Sequence, residues 1–244
     1  MTRLLAVLLA LTAPLPGFAQ SAATSAAPDA ANLPAAIAEL FAPRDLLLAK
    51  TGEGFDTSFK ASLATNPGSA DLEKQFPGMT QAVADAGRTA LLTAMANGFP
   101  DLHRQIAQEV GDDFDMVEQR QLYDFLASPA GRRLVGMGDQ LVDQNKLRAR
   151  ISANNKTGQP GFSGDDIDAS MNLEAMDRMP QPDLDAIAVF SATPGGAKLA
   201  SATPKLQQIV ANWTTKLATD HRKEVQDAMA ARFETFMAET SKKQ

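Results

Sequence analysis

Leu122–Leu141 reads LYDFLASPAGRRLVGMGDQL, and 65 residues later Ile187–Leu206 reads IAVFSATPGGAKLASATPKL. Six of these 20 aligned positions are identical: Phe125/Phe190, Ala127/Ala192, Pro129/Pro194, Gly131/Gly196, Leu134/Leu199 and Leu141/Leu206. Three more are conservative: Leu122/Ile187, Ser128/Thr193 and Arg133/Lys198. The matches fall on the residues that make a turn and on the apolar positions beside it, which is the mark of a repeated supersecondary unit. A residue before proline is driven out of the α region, so Ser128 and Thr193 end one helix, and their hydroxyls suit the N-cap of the next. Pro129 and Pro194 then stand at N1, where a missing N–H costs nothing. Gly131 and Gly196, lacking a side chain, let the preceding helix cross close to them, beside Phe125 and Phe190. Leu134 and Leu141, like Leu199 and Leu206, are seven apart and share a helical face. Each copy is predicted to be helix, tight turn, helix.

Toward the C-terminus, Leu206, Ile209, Val210, Trp213, Leu217, Val225, Met229, Phe233 and Phe236 follow helical spacing, apart from a polar gap at Asp220 to Glu224. A continuous helix from Gly195 to Met237 would be about 60 Å long at ~1.5 Å per residue, so either it extends past the body or it bends, and the expected kink is at Pro204. Toward the N-terminus, Leu102, Ile106 and Val110 mark one buried face, and Val83, Ala86, Ala90, Leu91 and Ala94 another. Asn97-Gly98 is expected to close the helix carrying the second set, with Pro100 opening the next at Asp101. Breaks are also expected at Thr51-Gly52-Glu53-Gly54, Asn66-Pro67-Gly68 and Phe76-Pro77-Gly78, and Pro43 separates two short helical pieces.

The chain has 244 residues, 44% of them hydrophobic and 21% charged, a formal net charge of −6 and no cysteine. Alanine is abundant and Ile and Val together number 15, a composition that favours helix over sheet. Residues 1–19 read as a cleaved secretory signal: Arg3, an apolar run from Leu4 to Leu15, and small residues at Gly17 and Ala19 before the cut. The run is shorter than the ~20 residues that span a bilayer and contains Pro14. Removing it leaves 225 residues with a formal charge of −7, which disfavours nucleic acid as a partner, and no integral membrane segment is expected after cleavage. Without cysteine there is no disulfide, thiolate metal site or thiol redox chemistry.

The expected organisation is all-α: a helical bundle with two repeated helix-turn-helix hairpins and a long C-terminal helix kinked near Pro204. The segments are 1–19, signal peptide; 20–33, flexible leader; 34–104, N-terminal helical region; 105–158, first hairpin; 159–169, loop; and 170–240, second hairpin with the long helix. Phenylalanine, two residues, Ser/Thr-Pro-x-Gly, a basic residue and leucine, present here twice, resembles the signature of a bacterial exported family, the domain of unknown function 2059. The resemblance spans about residues 105 to 158 and 170 to 230. It implies an all-helical exported protein, periplasmic or secreted, and no particular activity.

Several motifs approach known chemistry and fall short of it. His103 and His221 are the only histidines, and neither has a second at i+3 or i+4, so surface positions are expected in preference to metal ligation. Gly161-Phe162-Ser163-Gly164-Asp165 lacks the last glycine of a nucleophile elbow, and no strand precedes it. Asp166-Ile167-Asp168 begins like a calcium loop but has Met171 where glycine belongs and Asp177 at the twelfth position. Met171, Met176 and Met179 would be soft copper(I) ligands, but methionine is also an ordinary core residue. Asn155-Lys156-Thr157 and Asn212-Trp213-Thr214 fit the glycosylation pattern. Ser128 and Thr193 have no identifiable base and are already explained as caps. No catalytic, cofactor or metal residue is therefore assigned. The expected function is a non-enzymatic binding or interaction module of the cell envelope, taking a protein partner or an apolar ligand between its hairpins or on its C-terminal helix, with oligomerisation open. The alternatives are an envelope hydrolase with carboxylates assembled by the fold, and a peripheral membrane-surface binder acting through Leu206 to Phe236.

Overall fold

Pro34, the turn former before a periodic apolar run, stands in the first turn of helix α1 (Leu33–Phe41), and Ala42-Pro43 ends it. The computed structural model describes residues 28–65, 68–137 and 178–241, which are almost wholly helical and contain no strand. After a 3-10 turn at Ala30–Asn32 and α1 come α2 (Arg44–Ala64), α3 (Ser69–Gln75) and α4 (Met79–Asp113). Then follow α5 (Met116–Ala127), α6 (Pro129–Gly136), α7 (Gln181–Ser191), α8 (Pro194–Asp220) and α9 (Arg222–Ser241). The all-α expectation holds. The described chain also begins its structure earlier than a leader running to residue 33 allows. Leu33 is fully buried, and the Pro28 carbonyl accepts from Arg120 Nη2 at 3.3 Å.

The chain divides into two compact units, Met1–Leu47 with Pro100–Ala211, and Leu48–Phe99 with Asn212–Gln244. The divisions fall inside α2, α4 and α8, so they cut across the segments 34–104 and 170–240 drawn from the sequence.

In the first unit α1 packs on α5, and α7 packs on α5 and α6. Leu33, Ile37, Ala38, Phe41 and Ala42 of the α1 segment are all buried, as are Leu102, Ile106 and Val110 of α4 and Leu122, Phe125, Leu126, Leu134, Ile187, Phe190, Leu199 and Leu206. Full burial of each large aliphatic or aromatic side chain here is worth about 1.5–3 kcal/mol, and the i, i+4 spacing of the α1 residues delivers them to one face. Between α4 and α5, Asp115 accepts from the backbone N–H of Val117 and Glu118 while Glu118 reaches back to the Asp115 N–H, a capping box. Gln119, buried at that start, donates to the Phe114 carbonyl at 2.8 Å.

In the second unit Glu73 joins α3 to α4: its carboxylate accepts from Gly78 N at 2.6 Å and from Thr80 N at 3.0 Å. Gly78 takes a φ of +87°, a conformation that favours glycine, so the interruption predicted at Phe76-Pro77-Gly78 is present.

Two expected breaks are absent. The Thr51–Gly54 stretch lies inside α2. A Cβ on Gly52 would stand 2.7 Å from Arg88 Nη2, so this glycine admits a guanidinium, which pairs with Asp56 at 3.5 Å, and does not end a helix. Asn97-Gly98 and Pro100 likewise lie inside α4. A Cβ on Gly98 would come within 3.2 Å of Leu217 Cδ1 and Trp213 Nε1, and the Trp213 indole donates to the Gly98 carbonyl at 3.1 Å. Helix α8 includes Pro204, and the long C-terminal segment is divided at His221, between α8 and α9. The backbone bonds Leu217 O to His221 N (3.1 Å) and His221 O to Val225 N (3.0 Å) continue across it. Near Pro204, the Thr203 hydroxyl donates to the Leu199 carbonyl at 2.6 Å.

Candidate functional site

The residues singled out from the sequence meet at two turns of the same construction. Ser128 ends α5 in an extended conformation, and its Oγ accepts from Gly131 N at 3.0 Å while donating to the Phe125 carbonyl at 2.6 Å. After α7 the Thr193 hydroxyl is engaged in the same way: Oγ1 accepts from Gly196 N at 3.1 Å and donates to the Phe190 carbonyl at 2.7 Å. The backbone bonds also correspond, Ser128 N to Phe125 O at 3.0 Å and Thr193 N to Phe190 O at 2.9 Å. Pro129 and Pro194 open α6 and α8. A Cβ on Gly131 would collide with the Phe125 carbonyl and stand 2.8 Å from Leu126 Cα, and one on Gly196 would collide with the Phe190 carbonyl and stand 3.0 Å from Ser191 Cα. Both glycines are required by space, since neither has positive φ.

Phe125 and Phe190 stack on each other, with ring centroids 4.1 Å apart and planes 2° from parallel. Gly195 of α8 lies on α5, where its N–H donates to Gln121 Oε1 at 2.8 Å and a Cβ would stand 2.8 Å from the Glu118 carbonyl. The space between the hairpins is thus occupied by their own packing.

Charge enters this unit at two places that sequence spacing did not single out. Asp183, with 3% of its side chain exposed, receives two hydrogen bonds from the half-exposed Arg133 guanidinium, Nε to Oδ2 and Nη2 to Oδ1. The Asp183 hydrogen bonds raise the Arg133 pKa above its ordinary value. Lys205 bridges Asp113 at 2.8 Å and Glu109 at 3.0 Å, which raises the Lys205 pKa and lowers that of Asp113. The repeat does carry a signal for the first pair. The 65-residue offset maps Arg133 onto Lys198 and Glu118 onto Asp183, so each copy has an acid on its first helix and a base on its second. The carboxylates have taken different work, Glu118 in its own capping box and Asp183 across the hairpins.

His103 is half-buried: its Nε2 lies 2.8 Å from the Ala42 carbonyl, so Nε2 is the protonated donor at the end of α1. His221 Nδ1 lies 2.8 Å from Glu224 Oε2 at the α8–α9 break. Among the described residues no group of three His, Asp or Glu is placed to hold a metal. Met179 is buried, while Met171, Met176, Ser163, the Asp166–Asp177 stretch and Asn155 lie outside the described residues, as do residues 1–27 and Leu141. No helix of the described chain is long and apolar enough to cross a membrane.

The second unit is covered differently. None of the residues of α9 is buried; Val225, Met229, Phe236 and Met237 are half-covered on one face, and Phe233 is 37% exposed. On α2, Phe55 and Phe59 stack at 5.9 Å and are also only half-covered. No family profile, no curated protein and no solved structure matches the chain.

Proposed function

We propose that this protein is an exported, non-enzymatic helical binding module of the bacterial cell envelope, periplasmic or secreted, and that it takes an apolar ligand or the apolar face of a protein partner on its C-terminal helix. The single observation that carries this reading is the incompletely covered apolar face of α9, on which no residue is buried and Phe233, Phe236 and Met237 keep surface open to solvent. Runs of partly exposed apolar side chains on one helix face are the usual form of helix-in-groove and apolar-ligand contacts. Packing turns the reading away from the space between the hairpins, which Phe125 and Phe190 fill. The hydroxyls of Ser128 and Thr193 are engaged in two hydrogen bonds each, which supports a structural role for both. The two turns support kinship with the domain of unknown function 2059, and the signal-like residues 1–19 support export.

The test is a titration of the full chain with a fluorescent long-chain fatty acid, alongside a Phe233→Asp/Phe236→Asp variant. Saturable binding that weakens at least tenfold in the variant is the expected result. Absence of saturable binding, or unchanged affinity in the variant, contradicts it. Co-sedimentation with anionic vesicles in place of fatty-acid binding would move the assignment to a membrane-surface binder.

A further inference from the structure

Met229 is seated on bare backbone. A Cβ on Gly87 of α4 would lie 2.7 Å from Met229 Cγ and 2.8 Å from Met229 Sδ, with Phe55 Cζ 2.9 Å from the same point. The thioether therefore occupies the space that a side chain at position 87 would fill, and α2 contributes an aromatic edge beside it, the setting in which sulfur–ring contacts form. Gly87 is buried beneath these groups, whereas Met229 itself is only half-covered. The remaining hold on α9 is slight, because no residue of that helix is buried.

We infer that Met229 is an oxidant-responsive modification site whose conversion to the sulfoxide releases α9 from α4. The oxidant class is a peroxide. The sulfur lone pair attacks one peroxide oxygen, the O–O bond breaks as the S–O bond forms, and the second oxygen leaves as water after proton transfer. Sulfur loses two electrons and the peroxide gains them. The product is a strongly polar acceptor placed against a helix whose own N–H groups are already committed to its ladder. The added oxygen also has no room at Gly87, where the thioether already lies against the backbone. Buried Met79 and Met95 are shielded from the same reagent, and Met116, 55% exposed in the other unit, reports the dose. This inference stands apart from the proposed binding function and does not depend on a ligand.

The experiment treats the full chain with hydrogen peroxide until Met116 is fully converted, then maps sulfoxides by peptide mass and follows amide exchange across residues 222–241. Sulfoxide at Met229, with exchange in those residues at least tenfold faster, is the expected result. Methionine sulfoxide reductases restore the original protection, and a Met229→Leu chain carrying the Met116 sulfoxide keeps it throughout. The inference is overturned by a Met229 thioether that survives full conversion of Met116, by a sulfoxide that leaves exchange unchanged, or by equal loss of protection in Met229→Leu. Should Met229→Leu fail to fold, reductase treatment decides alone, since failure to restore protection also overturns it.

Discussion

Replacing Gly131 by alanine puts the duplicated turn under local strain. The new Cβ would collide with the Phe125 carbonyl and approach Leu126 Cα to 2.8 Å. Both are backbone atoms of the preceding helix, so no rotamer change relieves the overlap and α6 must shift away from α5. The shift strains the Ser128 cap on Gly131 N and the Phe125–Phe190 stack. Over-packing costs ~1–3 kcal/mol, and immovable neighbours place this case at the upper end. Alanine recovers at most ~1 kcal/mol through helix propensity. The net loss is therefore ~2 kcal/mol, or about 4–8 °C in Tm for a chain of this length. Gly54→Ala is the control. Gly54 is exposed within α2 with nothing inside 4 Å of its virtual Cβ, so that change should stabilise by ~1 kcal/mol. Urea unfolding of both variants followed by circular dichroism measures the difference, expected at ~3 kcal/mol. Agreement of the two variants within ~0.5 kcal/mol, the ordinary scatter of surface substitutions, would refute the crossing geometry.

Ser128→Ala and Thr193→Ala should each lose about 1 kcal/mol in the same assay, the usual cost of an N-cap hydroxyl. Arg133→Met should lower the urea midpoint more than Arg104→Met. The first strands the buried Asp183 carboxylate, whereas Arg104 pairs with an exposed Asp101. Glu73 is held below the ordinary glutamate pKa by hydrogen bonds from the Thr80 side chain and the Gly78 and Thr80 backbone. Its contribution is thus fully present above the unfolded value, about pH 4.3, and is lost as pH falls through the depressed folded value. The urea midpoint of the wild type should accordingly drop more steeply between about pH 5 and pH 3 than that of Glu73→Gln, and parallel pH profiles would contradict the cap.

The turns were legible because their determinants are local: a hydroxyl, a proline and a glycine within four residues dictate a stop, a cap and a close crossing. The misplaced breaks share one cause. Gly52 and Gly98 make room for side chains that come from far along the chain, Arg88 and Trp213, and a glycine serving a distant neighbour looks in sequence like one ending a helix. The polar gap at Asp220 to Glu224 coincides with the division that the structure has at His221. Met229 on Gly87 was illegible for the same reason as Gly52, because the contact joins residues 142 apart. Asp183 stands in the first turn of α7, where an acid is ordinary, and only the packing of the hairpins brings Arg133 to it.

Native mass spectrometry of the protein taken directly from its own cell envelope tests the proposed function most directly, because one spectrum reports processing and any bound molecule together. The account predicts the mass of residues 20–244 carrying an apolar ligand or a protein partner, both lost from a chain with Phe233→Asp/Phe236→Asp. A bare monomer from the same extract, with nothing released on activation, would contradict it.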